Sequence, residues 1–250
     1  MTVQNFTKSK MNELSRRDLF IIAFAVVAIA LVYLLVSKFT YAIGFPLDDS
    51  WIHQTYARNF ALHGEWAFRS GVPSAGSTSP LWSVLLSIGF LIGLSPYIWT
   101  YFLGVLTLFA LAYLCEWAVR KVVNTYHPRV PWVALFTAFE WHLVWAAMSG
   151  METLLHGLIV TAVLVFLMTD TPRYLTLGLL TGLAIWVRPD GLTLAGPVLM
   201  YIFYGERLAF AAHGYGPLYD WVGVFVCSLS FVQSCHWRNP YAEYLLCQAS

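Results

Sequence analysis

The sequence predicts an all-α, polytopic membrane protein, and three observations lead to this prediction: its composition, the lengths of its apolar runs and the positions of its basic residues. Of the 250 residues, 59% are hydrophobic and 11% are charged, whereas a soluble domain carries about 25% charged residues. The apolar residues fall in blocks of the length that a bilayer span requires. Aromatic residues make up 17% of the chain, and tryptophan and tyrosine favour bilayer interfaces.

The order of polar and apolar segments predicts the topology. We interpret 1–18 as a basic cytoplasmic N-terminus, 19–43 as the first transmembrane helix, and 44–96 as an outer loop with interfacial helices. Residues 97–204 then hold about five further transmembrane helices, and 205–250 form a tail of different character. A cleaved signal peptide is the alternative for the first helix, but its uncharged run is long for one and lacks an A-x-A site.

The outer loop contains two segments that we expect to lie at the membrane surface. The apolar run 81–94 is too short for a full span, which favours an interfacial or re-entrant segment. Residues 50–63 are expected to form a short amphipathic helix, because Ile52, Tyr56 and Phe60 recur at intervals of four. Such a helix would lie along the membrane with its apolar stripe facing the lipid.

On this path three polar segments share the outer face: Asp48-Asp49, Gly150-Met151-Glu152 and Arg188-Pro189-Asp190-Gly191. The adjacent carboxylates of Asp48 and Asp49 suit a general base for an acceptor hydroxyl and a ligand for a divalent cation. Capping of the following helix is the alternative for this pair. His53 stands one turn further on, where it could join a metal site or simply pack at the interface.

Other polar residues support weaker hypotheses. Arg58 and Arg69 could bind a lipid phosphate, or could only touch anionic headgroups. Glu140 and His142 fall inside an apolar run, where ionisable residues usually face a bundle interior. A hydrogen bond to another helix is the simplest explanation for these two.

Net charge and cysteine spacing exclude two classes of partner. The formal net charge is +1 and no basic stripe is present, so nucleic acid is not expected as a partner. None of the four cysteines forms a C-x-x-C pair, so the sequence indicates no zinc site.

Several motifs follow one another in an order that resembles a known superfamily. Residues 48–68 read DDSWIHQTYARNFALHGEWAF, and GSTSPLW follows at 76–82. SGMETLL occupies 149–155 and VRPDGL occupies 187–192. This series resembles the bacterial membrane glycosyltransferases of the GT-C superfamily, in the branch of the arabinofuranosyltransferases and the protein mannosyltransferases. The resemblance covers roughly 19–204.

The resemblance implies a GT-C-like helical bundle and a function. Members take a sugar from a polyprenyl-phosphate carrier at the outer face of the cytoplasmic (inner) membrane, with a catalytic aspartate in the first outer loop. That role would fall on Asp48 or Asp49, and a divalent cation (Mg or Mn) would bind the same pair. The acceptor would be a hydroxyl of a glycan, a lipid or a protein. Contacts to the donor phosphate or the substrate are then expected from Arg58, Arg69, Glu152, Arg188 and Asp190.

The chain departs from this superfamily in length, since members are usually about twice as long. We therefore expect it to be truncated and inactive by itself. Read from the second base of each codon, 226–250 can encode a peptide ending in PNTFYAKQA, which resembles the next outer loop of the superfamily. This predicts a frameshift in 205–250, the alternative being a genuine divergent tail. A transporter and a non-catalytic membrane protein remain the other functional hypotheses.

Overall fold

The structure is a computed structural model, and it describes residues 14–123, 125–126, 128–168 and 174–201. The chain divides into two compact units, Met1–Leu199 and Met200–Ser250. Only residues 200 and 201 of the second unit are described, and they are helical. The predicted frameshift and the tail at 205–250 lie outside the described residues.

Within the described residues the chain is mostly helical and contains no strand. The α-helices are α1 Arg16–Thr40, α2 Asp48–His63, α3 Pro80–Leu91, α4 Pro96–Val122, α5 Trp132–Phe139, α6 Trp141–Met148, α7 Thr153–Leu167 and α8 Tyr174–Val187. A 3₁₀-helix, Pro189–Leu194, follows α8. The helices α1 and α4 have 25 and 27 residues and are long and apolar enough to cross a membrane.

Helix α1 begins where its sequence provides a capping box. The Ser15 hydroxyl accepts a hydrogen bond from the Asp18 N–H, and the Asp18 carboxylate accepts one from the Ser15 N–H. One face of the helix, including Ile22 and Val26, is buried in the main core. The opposite face is apolar but exposed, with Phe20 and Phe24 more than three-quarters accessible.

Helices α1 and α4 run antiparallel, because the start of one meets the end of the other. The Arg120 Nη1 atom lies 3.0 Å from Asp18 Oδ2, and Arg120 Nε donates to Glu116 Oε1 at 2.7 Å. The second Glu116 oxygen accepts the N–H groups of Val133 and Ala134 in the first turn of α5. All three charged side chains of this cluster are buried. The cluster therefore joins three helix ends at one end of the bundle.

Helix α3 does not run the length of the bundle. Its 12 residues extend about 18 Å at 1.5 Å per residue, well short of a bilayer core of about 30 Å. The Trp99 indole in the first turn of α4 donates to the Leu85 carbonyl at 2.8 Å, and Gly89 packs against the same ring. Helix α3 thus lies beside the start of α4 and has about the length of the apolar segment predicted at 81–94, whose interfacial or re-entrant position stays a prediction.

The predicted apolar span around Glu140 and His142 is broken into α5 and α6. The Glu140 carboxylate caps α6 by accepting the Leu143 N–H at 2.9 Å, and it contacts His142 Nδ1 at 2.7 Å. The His142 side chain is 55% exposed. The expectation that these two residues face the bundle interior and bond to another helix was therefore wrong. A glutamate that can cap a new helix N-terminus satisfies itself locally.

The helices after α6 are short. Helices α7 and α8 have 15 and 14 residues, which corresponds to about 21–22 Å each. After α8 the chain forms the 3₁₀-helix and continues as helical backbone from 195 to 201. The five further transmembrane helices at 97–204 stay a prediction, because among the described residues of this range only α4 is long and apolar enough for a full span.

Candidate functional site

Asp48 and Asp49 form the first turn of α2, which begins two residues earlier than predicted. The residue before the helix is Leu47, and no side chain makes a capping hydrogen bond. Both carboxylates are exposed. Neither aspartate therefore caps α2 through a side-chain hydrogen bond. The positive end of the helix dipole still favours their two negative charges. The pair is free to contact a ligand.

The buried face of α2 is polar, which corrects the predicted arrangement of an apolar stripe. His53, Gln54 and Asn59 are buried together with Tyr56, whereas Phe60 is exposed. Each polar member has a partner on another segment: Gln54 donates to Thr100, and Asn59 to the Ala67 and Phe68 carbonyls. Hydrogen bonds thus offset the cost of burying these groups, and hydrophobic periodicity could not reveal them.

The His53 ring is the centre of a buried polar cluster. Its Nδ1 lies 3.2 Å from the Ser77 hydroxyl, which contacts the Ser83 hydroxyl at 2.9 Å. Its Nε2 lies 3.3 Å from Glu152 Oε2, and the two side chains are 1% and 2% exposed. Neither of these two atoms completes an aligned hydrogen bond within the described part of the chain. His53 therefore points into the protein towards Glu152, and none of its contacts involves Asp49.

Glu152 connects this cluster to the segment after α8. Its Oε1 accepts Arg188 Nη1 at 3.1 Å, and Arg188 Nε and Nη2 lie 3.3 Å and 3.2 Å from Asp190 Oδ2. Glu152 precedes α7 as its N-cap residue. Burial by itself would raise the pKa of this carboxyl, but the contact with His53 and the charge of Arg188 outweigh burial, so its pKa lies below the ordinary value.

The turn before α7 holds Glu152 in place. Its backbone carbonyls are anchored from two sides, since Ser50 donates to Ser149 at 2.7 Å and the Trp82 indole donates to Gly150 at 2.9 Å. Gly150 has φ +83°, and a Cβ atom there would come within 2.7 Å of the Phe45 ring. Only glycine fits this position without strain, which gives a structural reason for the glycine of the GMET motif.

Three residues of the site were not predicted from the sequence: His156, Ser77 and Ser83. His156 stands one turn after Glu152 on α7, and its Nδ1 is buried without a hydrogen bond among the described residues. The spacing E-x-x-x-H places both side chains on one helix face, and this was the available signal. Ser77 lies in GSTSPLW and Ser83 directly follows that motif, and neither serine had a signal of its own.

Arg58 and Arg69 lie apart from the other predicted site residues. They line a surface groove of about 580 Å³ beside the C-terminal half of α2. Arg58 follows Asp48 by ten residues of helix, which is about 15 Å along the axis. The structure thus brings together His53, Glu152, Arg188 and Asp190 by direct contact, but separates Arg58 and Arg69 from the aspartate pair.

The predicted cation has two candidate ligands rather than three. Among the residues that the structure describes, no group of three or more His, Cys, Asp or Glu side chains is placed to hold a metal ion. Magnesium is commonly bound by one or two carboxylates together with substrate phosphates. The exposed pair Asp48 and Asp49 fits that mode, and the buried His53 does not join it.

Comparison of the chain with protein-family models, curated proteins and solved structures finds no match. The chemistry that the site can support therefore follows from its own groups. It offers exposed carboxylates that can accept a proton, and a guanidinium that is one-third exposed and oriented by Glu152 and Asp190. A base and a fixed cation near one surface suit the transfer of a group from a phosphate leaving group.

Proposed function

We propose that the chain is a multi-pass protein of the bacterial inner membrane with a cytoplasmic N-terminus. The support is the pair of long apolar helices and the exposed apolar face of α1, which carries Phe20, Phe24 and Phe39. An exposed apolar surface of this kind marks contact with a membrane or with a partner. Basic Arg16 and Arg17 flank α1 at the end where Arg120 is found, in agreement with the positive-inside rule.

In this membrane the protein is a glycosyltransferase that uses a polyprenyl-phosphate sugar. Asp48 or Asp49 accepts the proton of the acceptor hydroxyl as its oxygen forms a bond to the anomeric carbon. The bond from that carbon to the phosphate oxygen breaks, and polyprenyl phosphate leaves. The Arg188 guanidinium contacts the departing phosphate, because a fixed donor fork is suited to phosphate oxygens. A divalent cation held by the aspartates would neutralise phosphate charge when bound.

One observation supports this function above the others. The three polar segments that the sequence placed on the outer face converge at one end of the bundle, where α2 reaches Glu152 through His53 and Glu152 reaches Arg188. Glu152 is a positioning residue in this proposal, since it touches His53 and Arg188 rather than substrate. Its two oxygens fix the distance between the aspartate helix and the guanidinium.

Sugar transfer by aspartate variants tests the proposal. Asp48→Asn and Asp49→Asn are made separately, and at least one should lower transfer by roughly 10²–10⁴ while the protein still inserts, as expected for loss of a general base. Radiolabelled sugar transfer is measured in membranes, with the chain extended in the second-base frame where that frame is open. Glu65→Gln, a carboxylate of the same loop outside the site, is the matched control. Rates equal to wild type in both aspartate variants contradict the assignment.

A further inference from the structure

The groove beside α2 carries positive charge that no described side chain neutralises by direct contact. Arg58 and Arg69 line it and are both exposed. Neither side chain makes an ion pair or a hydrogen bond with any described residue. Of the acidic side chains described, none lines the groove. Exposed arginines often find a partner on their own surface, so two unpaired guanidiniums facing one groove indicate a site for an anion.

The Glu65 carboxylate, which is close to Arg69 in sequence, makes its hydrogen bonds within its own turn. Glu65 Oε2 accepts the Gly71 N–H at 2.8 Å and the Ser70 hydroxyl at 3.2 Å. These hydrogen bonds lower the pKa of the Glu65 carboxyl, so it stays ionised and bound to the turn. The C-terminus of α2 disfavours a nearby anion, but it does so with only a partial negative charge, and the effect falls off within the last turn. Two full positive charges outweigh it.

Hydrogen bonds attach the loop that carries Arg69 to the helix that carries Arg58. Asn59, the residue after Arg58, donates from Nδ2 to the Ala67 carbonyl at 2.8 Å and to the Phe68 carbonyl at 3.2 Å. The Phe68 N–H donates in turn to the Ser74 hydroxyl, which contacts the buried Tyr56 hydroxyl at 2.7 Å. The loop is therefore attached to α2 on both sides of the groove. Such preorganisation lowers the entropy lost on binding.

Apolar side chains adjoin the charges. Leu62 and Phe68 also line the groove, and they are 60% and 53% exposed. A small inorganic anion would leave this apolar surface in water. A phospholipid offers both parts, because its phosphodiester can meet the guanidiniums while its glycerol and upper acyl chain cover the apolar side chains.

We propose that the groove formed by Arg58, Arg69, Leu62 and Phe68 binds the phosphodiester headgroup of an anionic phospholipid from the surrounding bilayer. It does not bind the phosphate of the sugar donor. In the donor this phosphate is bonded to the reacting carbon, whereas Arg58 lies about 15 Å along α2 from Asp48. The inference rests on the membrane part of the proposed function and not on sugar transfer.

Native mass spectrometry of the purified chain in detergent tests the inference, with phosphatidylglycerol as the probe. The double variant Arg58→Gln/Arg69→Gln should bind it about tenfold or more weakly than wild type, which corresponds to the loss of one or two charge-assisted hydrogen bonds. Its affinity for polyprenyl phosphate should not change. The matched control is Arg16→Gln/Arg17→Gln, which removes the same charge from exposed positions at the start of α1.

Four results would overturn the inference. They are unchanged phosphatidylglycerol binding in the double variant, an equal loss in the control, a loss of polyprenyl phosphate binding instead, and full displacement of the lipid by inorganic phosphate. All four variant positions are exposed, so the melting temperature should stay near that of wild type and a folding defect would be visible. Failure of sugar transfer leaves this result unaffected, because lipid binding is measured without turnover.

Discussion

At the scale of single residues, the sequence predicts which chemical groups are present at the site better than it predicts where their side chains point. Asp48 and Asp49 are exposed at the start of a helix, as their polarity and position suggest. His53 was grouped with them by helical spacing, yet its ring turns inward to Ser77 and Glu152. The direction of a side chain on a helix depends on which surface the helix buries, and that surface is formed by segments up to a hundred residues away.

The Glu152 carboxylate should contribute stability that depends on pH. Its pKa is lowered in the folded protein, so its contribution is complete above the ordinary glutamate pKa of about 4.3 and is lost as the pH falls through the lower folded value. Glu152→Gln should cost roughly 1–3 kcal/mol at neutral pH, where it removes a charged hydrogen-bond partner. The melting temperature in detergent measures the effect.

The expected signature is a difference between wild type and Glu152→Gln that shrinks as the pH is lowered. Glu65→Gln provides the comparison, because that carboxylate accepts hydrogen bonds only within its own exposed turn, so its effect on melting should be smaller than that of Glu152→Gln. A wild-type advantage that stays constant down to acid pH would show that Glu152 acts through shape alone, and the ion-pair account would be wrong.

At the scale of elements, apolar runs predict where helices lie but not how they are interrupted. The first helix, the surface helix and the short segment at 81–94 agree with the structure to within a few residues. The span around Glu140 does not agree with the structure. A hydrophobicity average over many residues does not reveal a single residue that caps a new helix. The start of α7 is likewise set by the turn at Gly150, which an apolar run does not show.

The buried charge cluster at the ends of α1, α4 and α5 should contribute to the stability of the protein. Arg120 is the cation between the buried carboxylates of Asp18 and Glu116. Arg120→Leu should destabilise the protein by about 3–5 kcal/mol, because it leaves two buried acidic groups without their partner. Lys121→Leu removes a charge from the exposed neighbour and should change stability by about 0.5 kcal/mol or less.

Thermal unfolding of both variants in the same detergent makes the comparison. Similar melting temperatures for Arg120→Leu and Lys121→Leu would show that the cluster is dispensable for the packing of the three helix ends. That result would also weaken the evidence that α1 and α4 run antiparallel, because this evidence comes partly from the Arg120–Asp18 contact.

At the scale of the whole molecule, a few charges and lengths predict a topology, whereas the convergence of the segments around Asp48, Glu152 and Arg188 could not be predicted. The antiparallel α1 and α4, with α3 beside the start of α4, place Glu65 and Asp190 at one end of the bundle and Thr125 beyond the other. No pattern within one segment could predict that Glu152 touches both His53 and Arg188, because these contacts join segments that are distant in sequence.

Cysteine labelling tests which end lies outside. In a cysteine-free background, Glu65→Cys and Asp190→Cys should react with a membrane-impermeant thiol reagent added to intact cells, and Thr125→Cys should react only after the membrane is opened. The positive-inside rule gives the reason, since it predicts that Arg16, Arg17 and Arg120 lie at the cytoplasmic end. Labelling of Thr125→Cys from outside would reverse the path after α3.

The most direct test of the proposed site is binding of polyprenyl phosphate to the purified chain, because binding is measured without turnover. Wild type should bind, and Glu152→Gln/Arg188→Gln should bind at least about tenfold more weakly, since it removes the guanidinium without leaving an unpaired buried carboxylate. Arg58→Gln/Arg69→Gln should bind like wild type. No binding by a folded wild-type chain, or equal binding by the Glu152→Gln/Arg188→Gln variant, would contradict a polyprenyl-phosphate site at Arg188.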